Sequence, residues 1–423
     1  MLVGSALLPL VMLGAPSARA AVITVTTTAD GGPGSLRAAF DTANANAELD
    51  EIVLAPGATY ELTQCGDAAE EDANADGDLD HTSTDALTIR GNGSTVRNTC
   101  PNERIFELEL GSGTFTIENA TLTDGDTDGD GGAIEGTNTS INVTNTTVSG
   151  NESGIDGGGV ETSSGDIAVT SSLFTGNSTT GDGGGLRTGT SIMSVTDSLF
   201  VGNVAGVDGG AMRASSGGSY DIVRSTFASN QAGQDGGGLR FSSTEIRITS
   251  STLSGNSAMT GDGGGVRDAG SSVFSVVNST FSGNSAGDEG GGMWTNSAPL
   301  SLNNATVTGN TAPAGNGGGI GNENGTTTLS NTIVGGNPGG DCATSTGAFS
   351  SGGNNIASDA SCNLGGPGDL PSTDPKLGPL AENGGSTQTH ALLKGSPAIG
   401  GGNDTIARGG PACEPTDQRG LPR

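Results

Sequence analysis

Apolar and polar positions alternate along most of this chain in short runs that restart every 26 to 28 residues. Two well-kept copies read IRITSSTLSGN (246–256) then DGGGVR (262–267), and FSVVNSTFSGN (274–284) then EGGGMW (289–294). In each first block the apolar residues hold alternate places, as Ile246/Ile248 and Phe274/Val276 do. That is the period of a strand with one face buried. The phase then slips: two outward positions in a row, Thr249 and Ser250, precede an inward small residue, Ser251, and an inward large one, Leu253. The slip predicts a corner between two strands. A Gly-Asn pair then turns the chain, a short loop follows, and a glycine-rich run ending in an apolar residue predicts a third strand.

Two register marks keep the period. The Asn that closes each first block falls at Asn151, Asn177, Asn203, Asn230, Asn256, Asn284, Asn310 and Asn337. The apolar residue after the glycines falls at Ile134, Val160, Leu186, Met212, Leu239, Val266, Met293 and Ile320. A degenerate opening copy, FTIENATLTDG, occupies 115–125 and ends in Gly. Two marks holding one period identify stacked repeats. Inward residues also recur in kind, with Phe174, Phe200, Phe227, Leu253 and Phe281 in one column. The prediction is an all-β fold, a right-handed parallel β-helix solenoid with three strands per coil. About nine regular coils would rise ~4.8 Å each. The Asn column is expected at left-handed turns, with its amides bonded coil to coil. Before the array, Leu36, Ala39, Phe40 and Ala43 recur at helical spacing behind Ser35, which predicts a short capping helix.

Composition fits this picture. Glycine is 77 of 423 residues, about 18% against a typical ~7%, and aromatics are 3%. Disorder would not hold apolar residues in register. The net charge of −30 argues against nucleic acid and anionic membranes as partners. The histidines, His81 and His390, and the lysines, Lys376 and Lys394, all lie outside the repeats. A histidine-based metal site or a Ser/His/Asp triad within the array is thereby excluded.

The first twenty residues are apolar and end in Ala18-Arg19-Ala20, the small-x-small box of a signal peptide. The run is too short to span a membrane. A secreted or cell-surface protein is expected, with no transmembrane segment in its mature chain, and monomeric. Five cysteines suit that compartment. Cys65 with Cys100 and Cys342 with Cys362 are the expected disulfides, with Cys413 left over. The chain then divides into a signal peptide (1–20), an N-terminal cap module (21–63), irregular coils with an acidic insertion (64–114), the regular repeats (115–340), and a C-terminal cap or anchor-type module (341–423).

Three stretches resemble known bacterial exported proteins. Gly34-Ser35-Leu36-Arg37-Ala38-Ala39 followed by IVLAPGATYELT resembles, in degenerate form, an N-terminal module with the signature Cys-Ser-Leu-Arg-Glu-Ala; the Cys and Glu are absent. The runs Phe174-x-x-Asn177, Phe200-x-x-Asn203, Phe227-x-x-Asn230 and Phe281-x-x-Asn284, with Gly131-Gly132-Ala133-Ile134, resemble the FxxN and GGA-aliphatic repeats of polymorphic outer membrane proteins. SSGGNNIASDASC, TDPKLGPLAENGGSTQTHALLKGSPAIGGGNDT and TDQRGLPR resemble a C-terminal module that precedes one of several surface anchors. The resemblance covers nearly all of the mature chain. It implies a surface β-helix, adhesin-like, with a carbohydrate or a host or cell-surface component as partner.

Chemistry has three candidate places. Asp124, Asp126, Asp128, Asp130 and Glu135 match the D-x-D-x-D-G-x5-E calcium loop, which makes Ca2+ the one candidate cofactor. Asp72 to Asp80 is a poorer version, with Ser83 where the Glu would be. The third place is a pair of columns. Asp130, Asp156, Asp182, Asp208, Asp235 and Asp262 stand four residues before the apolar mark, and Arg187, Arg213, Arg240 and Arg267 stand just after it. Carboxylates stacked at ~4.8 Å repel by about 0.9 kcal/mol in water and ~3.5 at an effective dielectric of 20. The two columns either compensate one another or bind something between coils. Pectate lyases and related β-helices set acids, calcium and a basic residue on one outer sheet, and Asp182, Asp208, Arg213 and Arg240 could be cast in those roles. An active site, however, needs one coil unlike its neighbours, and these coils are nearly interchangeable. A binding module is the leading expectation and a polysaccharide lyase or hydrolase the alternative.

Overall fold

The computed structural model describes residues 21–45, 49–66, 74–109, 111, 113–189, 192–215, 217–242, 245–270, 272–296, 299–403 and 412–423. The expected signal peptide and residues 67–73 of the acidic insertion lie outside the described residues.

The chain winds into a parallel β-solenoid of about 12 turns. One coil shows the plan: Ser140–Thr144, Thr147–Ser149, Glu152–Ser153 and Val160–Thr162, each hydrogen-bonded in parallel to its counterpart in the next coil. The first two strands belong to one 23-stranded sheet, and the third and fourth form sheets of seven and 11 strands. Two expectations are corrected here. A coil has four strand segments rather than three, because the stretch read as a short loop carries a two-residue strand, too brief to show a period. The stack also exceeds nine coils, since strands such as Asp50–Val53, Leu87–Asn98, Ala348–Gly353 and Ile356–Ala357 extend it where the register marks have lapsed.

The predicted corner is present. Asn145, Ser171, Asp197, Arg224, Ser250, Asn278, Asn304 and Asn331 all have φ between 46° and 55°. That left-handed kink lets Thr249 and Ser250 both face outward before Ser251 turns in. Behind the corner Phe174, Phe200 and Phe227 stack, with ring centroids 4.5 and 5.0 Å apart and no exposure. Each such burial contributes roughly 1.5–3 kcal/mol.

The Asn column is fully buried and forms a ladder, but it is not the left-handed residue. Gly150, Gly176, Gly202 and their equivalents just before it take φ near 63°, where a Cβ is costly, and Ser229 does so in one coil. The Asn amides are thereby freed to bond. Asn203 gives both its N–H and its Nδ2 to Asn230 Oδ1 at 3.0 Å, and Asn230 Nδ2 donates to Asn256 Oδ1 at 2.9 Å. The middle glycine of each triplet has a different reason. A Cβ on Gly158 would lie 2.4 Å from Gly184 O, so the coils touch backbone to backbone there.

At the first coil the helix Leu36–Asn44 covers the stack, capped by Ser35 Oγ, which accepts from the Ala38 amide at 3.1 Å. Phe40 stacks on Phe106, with centroids 5.6 Å apart. Both expected disulfides are formed, Cys65–Cys100 and Cys342–Cys362, and Cys413 is free. The described residues from 377 to 403 and 412 to 423 turn back along the side of the stack. A hairpin of Leu377–Ala381 and Thr389–Leu392 and the segment beyond it lie against the corner residues of the coils at 250–331. No helix among the described residues is long and apolar enough to cross a membrane.

Candidate functional site

The sheet of fourth strands places the acidic and basic columns side by side. Asp182 shows the unit: its Oδ1 accepts the Asp208 amide at 3.1 Å and its Oδ2 meets Arg213 Nε at 3.0 Å. Both partners belong to the following coil. The unit repeats for Asp156 with Arg187 (3.4 Å), Asp208 with Arg240 (3.0 Å) and Asp235 with Arg267 (3.1 Å). Side chains in these pairs are 12 to 24% exposed. The predicted binding-face residues are therefore brought together, but each carboxylate already has a backbone donor and a guanidinium.

Asp262 differs, because the next coil offers Trp294 where the others offer arginine. Arg267 stacks over that indole at 4.6 Å, and Trp294 Nε1 donates to Glu289 at 3.0 Å. Burial pushes the Asp262 carboxyl up to about 6, against the Glu289 amide that hydrogen-bonds it and with the Asp235 charge adding. The next coil has Gly321, where a Cβ would sit 2.8 Å from Trp294 Cδ1. The side chain of Trp294 is buried and offers no stacking platform to a ligand.

The arginine column continues toward the N-terminus as acids. In register with Arg187 stand Glu161, Glu135, Glu107 and Asp80. Sequence reasoning missed this run because it read the place after the apolar mark only where it held arginine. Buried Arg104 serves the block, with Glu107 at hydrogen-bond distance, Glu135 at 3.0 Å and Asp78 at 3.5 Å. Glu161, hydrogen-bonded to Arg187, has its carboxyl pushed up to about 8 by burial, with Arg187 opposing the shift.

The five residues of the expected calcium loop are spread around a coil. Asp124 pairs with Arg97 at 2.7 Å, Asp126 and Asp128 are exposed, Asp130 accepts the Asp156 amide at 2.9 Å, and Glu135 belongs to Arg104. The poorer loop near Asp80 holds a cation of another kind. The Arg37 guanidinium takes the carbonyls of Asp76, Gly77 and Asp78 at 2.9, 2.8 and 2.7 Å, and Asp30 pairs with it at 3.1 Å. Arg37 was read only as part of a motif; its role needed the three-dimensional return of residues 76–78. Among the described residues, the acidic oxygens that converge within 4.8 Å as a group of three are those of Asp78, Asp80 and Glu107, beside Arg104.

A second surface lies on the column of second strands. In five successive coils the outward residues are Thr121 and Thr123, Thr147 and Ser149, Leu173 and Thr175, Leu199 and Val201, and Thr226 and Ala228. Not one is charged, in a chain with 46 acidic residues. Leu199 is 38% exposed, and Val204, just past the next turn, 39%. Beyond Thr226 the same column runs under the C-terminal arm. Thr252 Oγ1 donates to Gln388 O and Thr280 Oγ1 to Gln418 Oε1, both at 2.7 Å, and Asn278 Nδ2 donates to Thr416 O at 3.0 Å. His390 joins Gly378 O (2.6 Å) to Ser282 Oγ (2.9 Å) and so pins the hairpin down. A cavity of about 480 Å³ remains between arm and stack, near Thr306, Ile333, His390 and Cys413.

Fold and surfaces define the class: a parallel β-solenoid whose charged columns are internally paired and whose outer flank is partly bare. No family model, curated protein or solved structure matches the chain.

Proposed function

We propose that this is a secreted or cell-surface β-helix binding module, adhesin-like, which holds carbohydrate on the uncharged strip. The single observation that carries the reading is a contrast between two faces. The Asp/Arg columns are taken up in ion pairs with one another, whereas the Thr121-to-Ala228 strip is uncharged and not covered by the arm. Size decides between partner classes. Five coils span about 24 Å, and one strand with its flanks about 10 Å, which gives ~250 Å². A stable protein interface needs ~800 Å² per partner. An oligosaccharide does not. Two disulfides and the want of a membrane-crossing helix among the described residues are consistent with export. The resemblance to exported surface β-helices agrees with it.

Catalysis finds less support. Asp182 and Asp208, the acids a lyase or hydrolase would need, are already tied to Arg213 and Arg240. A glycan array paired with a turnover screen tests the reading. Retention of at least one glycan without release of unsaturated or reducing ends is expected. Turnover of polygalacturonate or alginate that is lost in Arg213→Ala would replace the binding module with an enzyme.

A further inference from the structure

We infer that the strip takes a neutral, extended polysaccharide of the 1,4-linked kind, laid along the stack axis with one sugar ring per coil. This rests on the carbohydrate-binding reading and adds the ligand's charge, direction and length. Charge comes first. The ten outward residues carry none, and the charges on the borders of the strip, Arg97 with Asp124 and Arg224 with Asp197, are paired and cancel. Asp126 and Glu152 stand exposed on the neighbouring strands, and the whole chain stands at −30. A uronate or sulfated chain would be repelled as it approached; a neutral one is not.

Direction follows from the repeat. Equivalent side chains recur at ~4.8 Å along the axis, and a 1,4-linked pyranose advances by about one such step per ring. A chain along the axis can meet each coil with one ring, alternate rings being turned over, whereas across it the strip is one short strand wide. Leu173 and Leu199, direct neighbours in the ladder, with Val201 and Val204 give the C–H faces of the rings an apolar bed. Thr121, Thr147 and Thr226 offer hydroxyls along one edge.

The arm provides an internal precedent. It is an extended polymer lying on this same column, held by Thr and Asn donors on neutral acceptors at 2.7 to 3.0 Å. Its docking pattern, Asn278-x-Thr280, recurs uncovered as Asn119-x-Thr121 and Asn145-x-Thr147. The arm also ends the open strip, because Thr252 is already engaged. Five rungs remain, so five rings should fill the site.

Titrating the full mature protein with neutral 1,4-linked gluco-, xylo- and manno-oligosaccharides, from dimer to octamer, tests this. For one series affinity should rise with length to about five rings and then level, as each coil adds one ring. Leu199→Asp, at an exposed position, should weaken binding by at least about tenfold. Leu393→Asp, on the arm at 48% exposure, should leave it unchanged. Circular dichroism confirms that both variants are folded. A preference for acidic polymers, or an affinity that does not grow with length, would overturn this inference and spare the broader reading, whereas glycan binding that Leu199→Asp leaves intact would take the strip out of both. A concentration-dependent dimer abolished by Leu199→Asp would make a second copy the occupant and overturn it too. Failure to bind any carbohydrate would remove both.

Discussion

Arg213 reaches back one coil to Asp182, Nε to Oδ2 at 3.0 Å, while the other oxygen of Asp182 holds the Asp208 amide at 3.1 Å. One carboxylate thus ties two coils by backbone and side chain together. The Arg213 charge offsets part of the repulsion among the stacked acids, while burial and the Asp208 and Asp156 charges still hold the Asp182 carboxyl above its ordinary value. Asp182→Ala removes the backbone hydrogen bond and the ion pair and leaves a mostly buried guanidinium without its counter-charge, so a loss of about 2–3 kcal/mol is expected. Asp182→Asn keeps an acceptor and should lose about half that. Urea unfolding of the two variants measures the difference; equal losses would mean the backbone bond contributes nothing.

The Asn ladder should be more sensitive. Asn230 Oδ1 accepts two bonds from Asn203, and its Nδ2 donates to Phe200 O and Asn256 Oδ1, all at 2.9 to 3.0 Å without solvent. Asn230→Ala strands buried donors on one side and acceptors on the other, each costing about 1–3 kcal/mol. A loss of ~4 kcal/mol is expected. A loss below about 1 kcal/mol would show that water enters and replaces the amide.

Four carboxyls are raised, chiefly by burial, those of Asp130, Asp182, Glu161 and Asp262, and the last two carry the large shifts that set the pH response. Glu161 sits at about 8 and Asp262 at about 6, both raised chiefly by burial. A carboxyl raised in the folded state binds its proton more tightly there than in the unfolded chain. Its contribution is full below the ordinary value near 4.5 and is lost as pH climbs through the folded value. Stability should therefore fall from pH 5 toward pH 8.5 and level off above it, and Glu161→Gln should flatten the upper part of that slope. Thermal unfolding across the range checks it. A parent protein that grows more stable toward pH 8.5 would contradict the assignment.

Calcium should leave the melting temperature unchanged between EDTA and millimolar CaCl2. The carbonyls at 76–78 are held by Arg37, and Asp124 and Glu135 are paired with Arg97 and Arg104. A clear upward shift would restore the metal reading of Asp124 to Glu135.

Much of the fold was legible because it rests on local, repeated patterns. The slip at Thr249-Ser250 marked the corner, and Ser35 with Leu36, Ala39, Phe40 and Ala43 marked the helix. The same logic failed where no period exists. The arm is held by single bonds such as Thr252 to Gln388 and His390 to Ser282, between residues more than a hundred positions apart. The left-handed residue was misplaced by one, because a Gly-Asn pair allows either to take the strain and only burial of the Asn amides decides it. The candidate site was legible in one half. Columns of Asp and Arg announced themselves by charge, while the strip of Thr, Ser and Leu shows itself only by lacking charge on a surface otherwise rich in it.

The most direct test sets the two faces against each other. Affinity electrophoresis of the mature protein through gels carrying a neutral 1,4-linked polysaccharide would compare Leu199→Asp with Asp182→Asn. Retardation lost in Leu199→Asp and kept in Asp182→Asn is the predicted result. Retardation kept in Leu199→Asp and lost in Asp182→Asn would contradict it and return function to the charged columns.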